Sequence, residues 1–244
     1  MTPDAIHRLL ATYPRTRPPL TPAHERIYVA EYRRNRRGGG VLLAAIHRLE
    51  DWMHRQIAKG SSEDTVLEVG AGSLNHLRFE PRARHYDCVE PFRELLQDAP
   101  ESKRVRSLYA DIRDVPEASR YDRILSIATL EHLEDLPGIV ARAGLLLAEG
   151  GIFQAAIPTE GGLLWGLSWR MTTAVSYRLR TGLDYKSVMR HEHVNTAREI
   201  ILVMRRLFAQ VAISRFPSPF HHLSFYTYLE ARRPRLDRCR AIVA

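Results

Sequence analysis

The sequence has almost no cysteine, almost no lysine and no long uncharged run, and each shortage closes off a class of protein. The 244 residues include two cysteines, Cys88 and Cys239, too few for a disulfide framework or a CxxC metal site. Their scarcity fits a reducing compartment, and a cytoplasmic location is the expectation. The longest stretch without Asp, Glu, Lys or Arg is 216–229. It contains two prolines and two histidines and is shorter than the roughly 20 apolar residues of a transmembrane segment. The N-terminus (Met1-Thr2-Pro3-Asp4-Ala5-Ile6-His7) lacks a charged start followed by an apolar core, so no signal peptide is read there. Hydrophobic residues at 45% and charged residues at 26% are ordinary globular values. They exclude wholesale disorder and fibrous classes. The length suits one α/β domain with extra segments.

Lysine occurs at Lys59, Lys103 and Lys186, so the 36 basic residues are nearly all arginine, against 28 acidic ones. Their placement is uneven. Residues 1–60 are net +6, residues 61–157 net −6 and residues 158–244 net +8. If the basic flanks fold over one mouth of the acidic middle, they favour an anionic substrate or surface. The densest cluster, Arg33-Arg34-Asn35-Arg36-Arg37, reads as a solvated face or phosphate clamp ahead of a nucleic-acid patch.

Residues 1–20 are rich in proline and arginine and are expected to pack loosely. Thr21-Pro22 reads as an N-cap with proline at the first helical position. It predicts a helix to about Arg37, ended by Gly38-Gly39-Gly40. Leu42, Ile46, Leu49, Met53 and Ile57 recur at spacings of three and four and predict a second helix, stopped at Gly60-Ser61-Ser62. Residues 1–60 are therefore expected to form a helical N-terminal cap. Thr65–Val69 then has a buried-strand texture, as do Tyr86–Val89, Ile124–Ile127 and Gly151–Ile157, with one more strand ahead of Asp111. A helical pattern (Ile139, Val140, Ala143, Leu146, Leu147) lies between the last two. Strands alternating with helices imply a parallel sheet covered on both faces. From Thr159 an aromatic, glycine-containing stretch becomes helical to about Lys186, which predicts an inserted lid over 159–195. A helix at Thr196–Phe208 leads to strands at Val211–Phe216 and Leu223–Leu229. The tight Pro217-Ser218-Pro219 connection predicts that these two pair antiparallel. The main domain is expected over 61–233, and the basic tail, 234–244, is expected to be unstructured from about Arg232.

Ligands of an open parallel sheet bind beyond the carboxyl ends of its strands, so the residues just after each strand matter most. The first strand runs into Glu68-Val69-Gly70-Ala71-Gly72-Ser73-Leu74-Asn75, where two glycines let backbone approach a ligand. After the second comes Glu90, a carboxylate able to accept from two ribose hydroxyls. After the third comes Asp111, able to take an adenine amino group, with Ile112 as an apolar wall. After the fourth comes Ser126-Ile127-Ala128-Thr129-Leu130-Glu131-His132.

Four signals in order at successive strand ends resemble the class I S-adenosylmethionine-dependent methyltransferases, especially the small-molecule group that includes the quinone-biosynthesis enzymes. The resemblance covers about Val66–Pro158 and rests on VLEVGAG, YDCVEP, YADIRDV, YDRILSIATLEHLEDL and LLLAEGGIF. It implies a Rossmann-like α/β fold: a seven-stranded, mostly parallel sheet with an antiparallel last strand. It also implies S-adenosylmethionine as cofactor. Glu68, Gly70 and Gly72 would shape the methionine end, Glu90 would hold the ribose, and Asp111 and Ile112 the adenine. Ile127 and Ala128 would line the wall near the sulfonium, with Glu131 and His132 on the substrate side. The sequence departs from the family where Leu74 replaces a third glycine. The helix after the loop is also cut short by Pro81.

A hydroxyl acceptor needs a proton acceptor, and the catalytic candidates are His132 and His193, with His191 nearby. His191-x-His193 lacks a further ligand cluster, so no metal is expected. Trp165 and Trp169 either pack the lid or form a ring platform. Asn75 and His76 either contact a ligand or stabilise the loop. Tyr28 and Tyr32 share one face of the first long helix. There is no Asn/Asp-Pro-Pro-Tyr/Phe and no Pro-Cys nucleophile, which argues against DNA. The favoured acceptor is a small-molecule or glycan hydroxyl, an anionic one included. A methyltransferase acting on RNA or protein and a non-catalytic cofactor-binding module are the alternatives.

Overall fold

Short runs rich in Val, Ile, Leu and aromatic residues pair into one seven-stranded sheet. Strands β1 (Thr65–Val69), β2 (His85–Val89), β3 (Val105–Tyr109), β4 (Tyr121–Ile127) and β5 (Leu147–Pro158) are parallel. β6 (Phe208–Pro217) and β5 both pair antiparallel with β7 (Ser224–Pro234). The order is β3-β2-β1-β4-β5-β7-β6. The chain steps outward from β1 to β3 and returns on the other side of β1 as β4. The β1/β4 boundary is thus the switch point where a crevice opens at the carboxyl ends. The computed structural model describes residues 3–37, 41–60, 64–80, 82–97 and 99–244. Of 3–4, 29, 32–37, 41–48 and 97 only the backbone is described. The glycine run 38–40, Ser61, Ser62 and Pro81 lie outside that description, as do the side chains of Tyr32 and of the arginine cluster at 33–37.

Both faces of the sheet are covered, which is why its strands read as nearly continuous apolar runs. Leu67 and Val69 join Ile124, Phe153 and Leu229 on one face. There they meet α5 (Leu136–Leu146), α9 (Ala197–Leu207) and α10 (Leu236–Val243). Val66 joins Cys88, Leu125 and Ala156 on the other, under Met53 and Ile57 of α3 (Val41–Ala58). The remaining helices are α1 (Pro3–Leu10), α2 (Pro22–Arg37) and the short α4 (Glu94–Gln97). The insertion between β5 and α9 carries α6 (Leu163–Trp169), a wide π-type turn (Arg170–Ala174), α7 (Val175–Thr181) and α8 (Tyr185–Glu192). Among the described residues no helix is long and apolar enough to cross a membrane.

Three local expectations change. Residues 3–10 form α1, which packs on α9, and the following segment is tied down rather than loose. Arg15 pairs with Glu199 at 2.6 Å, and Tyr13 Oη donates to Asn195 Oδ1 at 2.7 Å. The C-terminal tail is ordered as well. β7 continues to Pro234, and α10 buries Cys239 against the α5 face. The helix expected to be short after the glycine loop is reduced to one 3₁₀ turn, Leu77–Phe79.

A buried charge network anchors this modified β1–β2 connection. Arg123 of β4 donates to both oxygens of Glu80 at 2.9 Å, to Ile57 O at 3.0 Å and to Gln154 Oε1 at 3.1 Å. His76 Nε2 is 3.1 Å from Glu80 Oε1, and His54 stacks on the His76 ring. Burial pushes His54 down to about 3, with His76 and Arg78 adding to the effect, so its ring is neutral. His76 is therefore a buried part of the scaffold, while its neighbour Asn75 is exposed.

Candidate active site

The loop after β1 folds against the ends of its two neighbours. Gly70 N donates to Val89 O at 2.8 Å. Gly70 and Gly72 have φ of +78° and +53°, and Leu74 joins them at +61°. A side chain at Gly70 would collide with Thr129, whose Oγ1 and Cγ2 lie 2.3 Å from the Cβ position. Leu74 stands where the family resemblance implies a third glycine, and it takes the left-handed backbone a glycine would supply. Its side chain is buried in one cluster with Leu77 and Met53, and that packing offsets the strain.

Glu90 closes the loop from β2. Its Oε2 accepts from Gly72 N at 2.7 Å and its Oε1 from Phe92 N at 3.0 Å. Each carboxylate oxygen has a second lone pair, so the group fits a ribose diol while holding the glycine loop. Phe92 presents an exposed ring beside it, a feature sequence reasoning missed. Glu68 lies one layer deeper, accepting from Tyr86 Oη at 2.8 Å. Burial pushes its carboxyl up to about 8 despite that hydrogen bond, with Glu80 and Glu90 adding to the rise. Its place is behind the loop.

At the end of β3, Asp111 caps a 3₁₀ turn over Ile112–Asp114. Arg113 grips it with Nε on Oδ1 and Nη2 on Oδ2, both at 2.8 Å, and the hydrogen bonding holds its carboxyl below its ordinary value. Ile112 is fully buried and, as the first residue of the turn, has an N–H that the turn leaves unpaired. Ile127 is buried at the end of β4, and Ala128 is exposed with φ of +48°. These residues share the sheet edge that the strand-end reasoning named. They fit an adenosyl group: acids at β2 and β3, an apolar wall and a close-packed glycine loop.

The opposite wall brings together residues some 60 positions apart. Val194 N and Asn195 N both donate to Glu131 O, at 2.9 and 3.0 Å. Asn195 Nδ2 donates to Leu130 O and Leu133 O at 2.9 and 2.7 Å. This clamp sets the rings of His132 and His193 edge to face, 4.8 Å apart. His132 Nδ1 lies 2.7 Å from Glu192 O, and its Nε2 lies 3.8 Å from Glu131 Oε1. His193 Nδ1 lies 2.5 Å from Glu160 Oε2. Burial opposes its charged form, but the Glu160 hydrogen bond and the charges of Glu160, Glu131 and Glu192 outweigh it and raise its pKa. Glu131 is 1% exposed, and its Oε2 has no hydrogen-bond partner among the described groups. Burial pushes its carboxyl up to about 7, while His193 pulls it down.

The same wall contains residues that sequence reasoning did not assign. Glu160 lies two residues beyond the end of β5, so the rule of looking just beyond each strand would have found it. Glu192 and Arg17 required the fold: Arg17 Nη1 lies 3.5 Å from Glu192 Oε2, and Tyr28 Oη donates to Glu192 Oε1. Trp165 approaches His193 with ring centroids 5.6 Å apart, whereas Trp169 packs on Tyr185 under Arg170. His191 is turned away, its Nδ1 lying 2.8 Å from Pro18 O.

A family model described as a methyltransferase domain matches residues 32–227. No curated protein matches the chain. Several solved structures share its fold. A Thermotoga maritima S-adenosylmethionine-dependent methyltransferase, described as a possible histamine N-methyltransferase, is 16% identical with a TM-score of 0.57. The match covers 86% of this chain and 97% of that one. The N-methyltransferase NodS from Bradyrhizobium japonicum, in complex with S-adenosyl-L-homocysteine, is 14% identical with a TM-score of 0.52. That match covers 95% and 98% of the two chains. An O-methyltransferase family protein from Burkholderia thailandensis is 13% identical with a TM-score of 0.51. Here 77% of this chain matches, spanning 55% of that protein's length. With the family model covering most of its length and these acids in order along a class I sheet, the chain belongs to the S-adenosylmethionine-dependent methyltransferases.

Proposed function

We propose that the protein methylates a hydroxyl of a small molecule or glycan, with His132 as proton acceptor. Bound S-adenosylmethionine supplies an electrophilic methyl group, which leaves the protein to align the acceptor and remove its proton. One observation carries the assignment: His132 Nδ1 lies against a backbone carbonyl, Glu192 O, at 2.7 Å. A carbonyl only accepts, so Nδ1 carries a proton, and in the neutral ring the lone pair that takes the acceptor's proton is the one on Nε2. His193, paired with Glu160, retains its proton to higher pH than a free imidazole. It serves as a donor that orients the acceptor oxygen. Glu131 adds the unpartnered Oε2 beside them.

The character of this wall narrows the acceptor. Glu131, Glu160 and Glu192 place three carboxylates around two imidazoles, with Arg17 as the guanidinium partner of Glu192. Carboxylates accept hydrogen bonds from hydroxyls, and the Trp165 ring offers a face to a sugar or other ring. This favours a neutral, hydroxyl-bearing acceptor over the anionic one suggested by the basic flanks. Residues 1–60 and 159–195 act as cap and lid over the site, and 234–244 as a supporting tail. Glu90, Gly70 and Gly72, with Asp111, Ile112, Ile127 and Ala128, hold the cofactor, and Glu68 backs the loop. A second reading is an amine acceptor, since an acidic wall also suits an ammonium group, and of the similar structures one is named an N-methyltransferase and another is described as a possible one.

The test is incubation with isotopically labelled methyl donor and panels of polyols, glycans and amines, with products assigned by NMR. A labelled O-methyl product that depends on His132 supports the reading. An N-methyl product, or undiminished O-methylation by His132→Ala, overturns it.

A further inference from the structure

The helical insertion has two faces, and the candidate site uses only one. On the inner face Trp165 approaches His193, while Tyr177 packs on Tyr185 and stacks with His24. The outer face carries Leu163, Leu167, Met171, Val175 and Leu179, exposed by 71%, 54%, 66%, 49% and 82%. These five recur at every fourth residue through α6, the wide turn and α7. In a regular helix four residues turn the chain by about 400°, so a stripe at this spacing drifts by about 40° per step. The i→i+5 turn at Arg170–Ala174 takes back part of that drift. Phe220 and Leu223 are also exposed, on the turn that packs beside α6.

A run of aliphatic surface this long marks a docking surface, and charge indicates what it meets. Residues 161–183 contain Arg170, Arg178 and Arg180 and no acidic residue. Arg170 and Arg178 are exposed. Arg180 reaches back to Glu31. Residues 158–244 as a whole are net +8. Flexible aliphatic side chains flanked by arginine suit the headgroup–acyl boundary of an anionic bilayer. A protein interface is typically anchored by several aromatic side chains. Both tryptophans of α6 are engaged within the insertion, which leaves Phe220 as the exposed aromatic ring beside a stripe of five aliphatic or sulfur-bearing side chains and two arginines. An RNA backbone would have no use for the aliphatic ridge.

We propose that the outer face of the insertion, Leu163 to Leu179, docks on a bilayer surface containing anionic lipid. The contact is peripheral, lying along the surface. It places the docked face and the acceptor wall on two sides of one helix. The inference goes beyond the proposed chemistry and is read without turnover.

The experiment is co-sedimentation of the full chain with vesicles of phosphatidylcholine alone and with phosphatidylglycerol in a ratio of roughly 7:3. Partitioning onto the mixed vesicles should exceed that onto phosphatidylcholine by about tenfold and weaken as salt is raised. The double variant Leu167→Asp/Leu179→Asp should lose about tenfold or more, with unchanged melting temperature and S-adenosylhomocysteine affinity. Arg178→Ser should lose about fivefold on mixed vesicles and little on neutral ones. Equal partitioning onto both vesicles overturns the proposal. So does a double variant that partitions like the parent, because the basic flanks would then bind lipid without the stripe. A parent that ignores vesicles but forms a dimer abolished by the double variant also overturns it, since the stripe would then meet a second copy of the chain.

Discussion

Replacing Glu90 by alanine tests the cofactor half of the site at the residue on which most depends. The substitution removes the acceptors of two backbone N–H groups, Gly72 N at 2.7 Å and Phe92 N at 3.0 Å, and with them the proposed ribose contacts. Hydrogen bonds to a charged group contribute about 1.5–3 kcal/mol each. Loss of one ribose contact therefore weakens S-adenosylhomocysteine binding by about 10- to 150-fold. The freed glycine loop adds to this, because Gly70 and Gly72 are held in left-handed backbone that the unanchored chain no longer has reason to populate. Glu90→Gln is the sharper probe. It keeps the size of the side chain but turns an amide N–H toward one of the two backbone donors, so the loop is disturbed even though one acceptor remains. Isothermal calorimetry with S-adenosylhomocysteine reads both variants, and thermal melting of the ligand-free protein reads the loop. Affinity within about twofold of the parent in Glu90→Ala would refute the ribose assignment, since that change is below the smallest single hydrogen bond expected.

Other consequences follow from the same geometry. His132→Ala should lower turnover by about 10²–10⁴-fold and His193→Ala by about tenfold through loss of one oriented hydrogen bond; kinetics showing the reverse order would move the base to His193. Glu131, at about 7 in the fold against 4.5 in the free side chain, keeps a proton that the unfolded chain has released between those values. Its folded form is thus penalised as pH rises through that window, by roughly 3 kcal/mol in full. The raised His193 works in the same direction, contributing stability below its unfolded pKa that is lost as pH rises through the folded one. Glu131→Gln should therefore gain stability over the parent from pH 5 to pH 8 in denaturant titrations, and a pH-independent difference would contradict the burial argument. Glu80→Ala leaves the buried Arg123 without its two-pronged carboxylate partner, with only Asp64 Oδ2 at 3.7 Å remaining, and should cost about 3–5 kcal/mol. For a chain of this size that is about 6–20 °C in Tm, and a variant melting within about 2 °C of the parent would show that water reaches the guanidinium.

The sheet and the order of the acids at its strand ends were legible in the sequence because these signals are local and fall on a regular scaffold. Five apolar runs separated by helix-length stretches imply parallel strands, and the residue after each strand must lie on one edge of the sheet. Glu90, Asp111 and Glu131 were found in that way, and Glu160 was within reach of the same rule. Leu74 shows how far the rule extends. Its departure from glycine was visible, but the sequence could not show that a leucine would accept φ of +61° in exchange for burial beside Met53 and Leu77.

By itself, the sequence determined the sheet, the order of its strand-end acids and the donor those acids suit. Each depends on periodicity and on neighbours within a few residues. Tertiary structure decided the acceptor wall. His132 and His193 meet because the Asn195 side chain and the 194–195 backbone hydrogen-bond to Leu130, Glu131 and Leu133, contacts between segments with no shared pattern. It also decided that the N-terminal arm and the C-terminal tail are ordered, since Arg15 finds its partner on α9, Tyr13 finds Asn195 just ahead of α9, and Cys239 packs on α5, all far from their own segments. The chemical character of the wall was likewise hidden. Net charge summed along the chain pointed to a basic mouth, whereas folding gathers Glu131, Glu160 and Glu192 around two imidazoles and sets the arginines of the insertion beside its aliphatic outer stripe. Electrostatic interactions fall off with distance through space, not along the chain, so only the fold could show which charges face the acceptor.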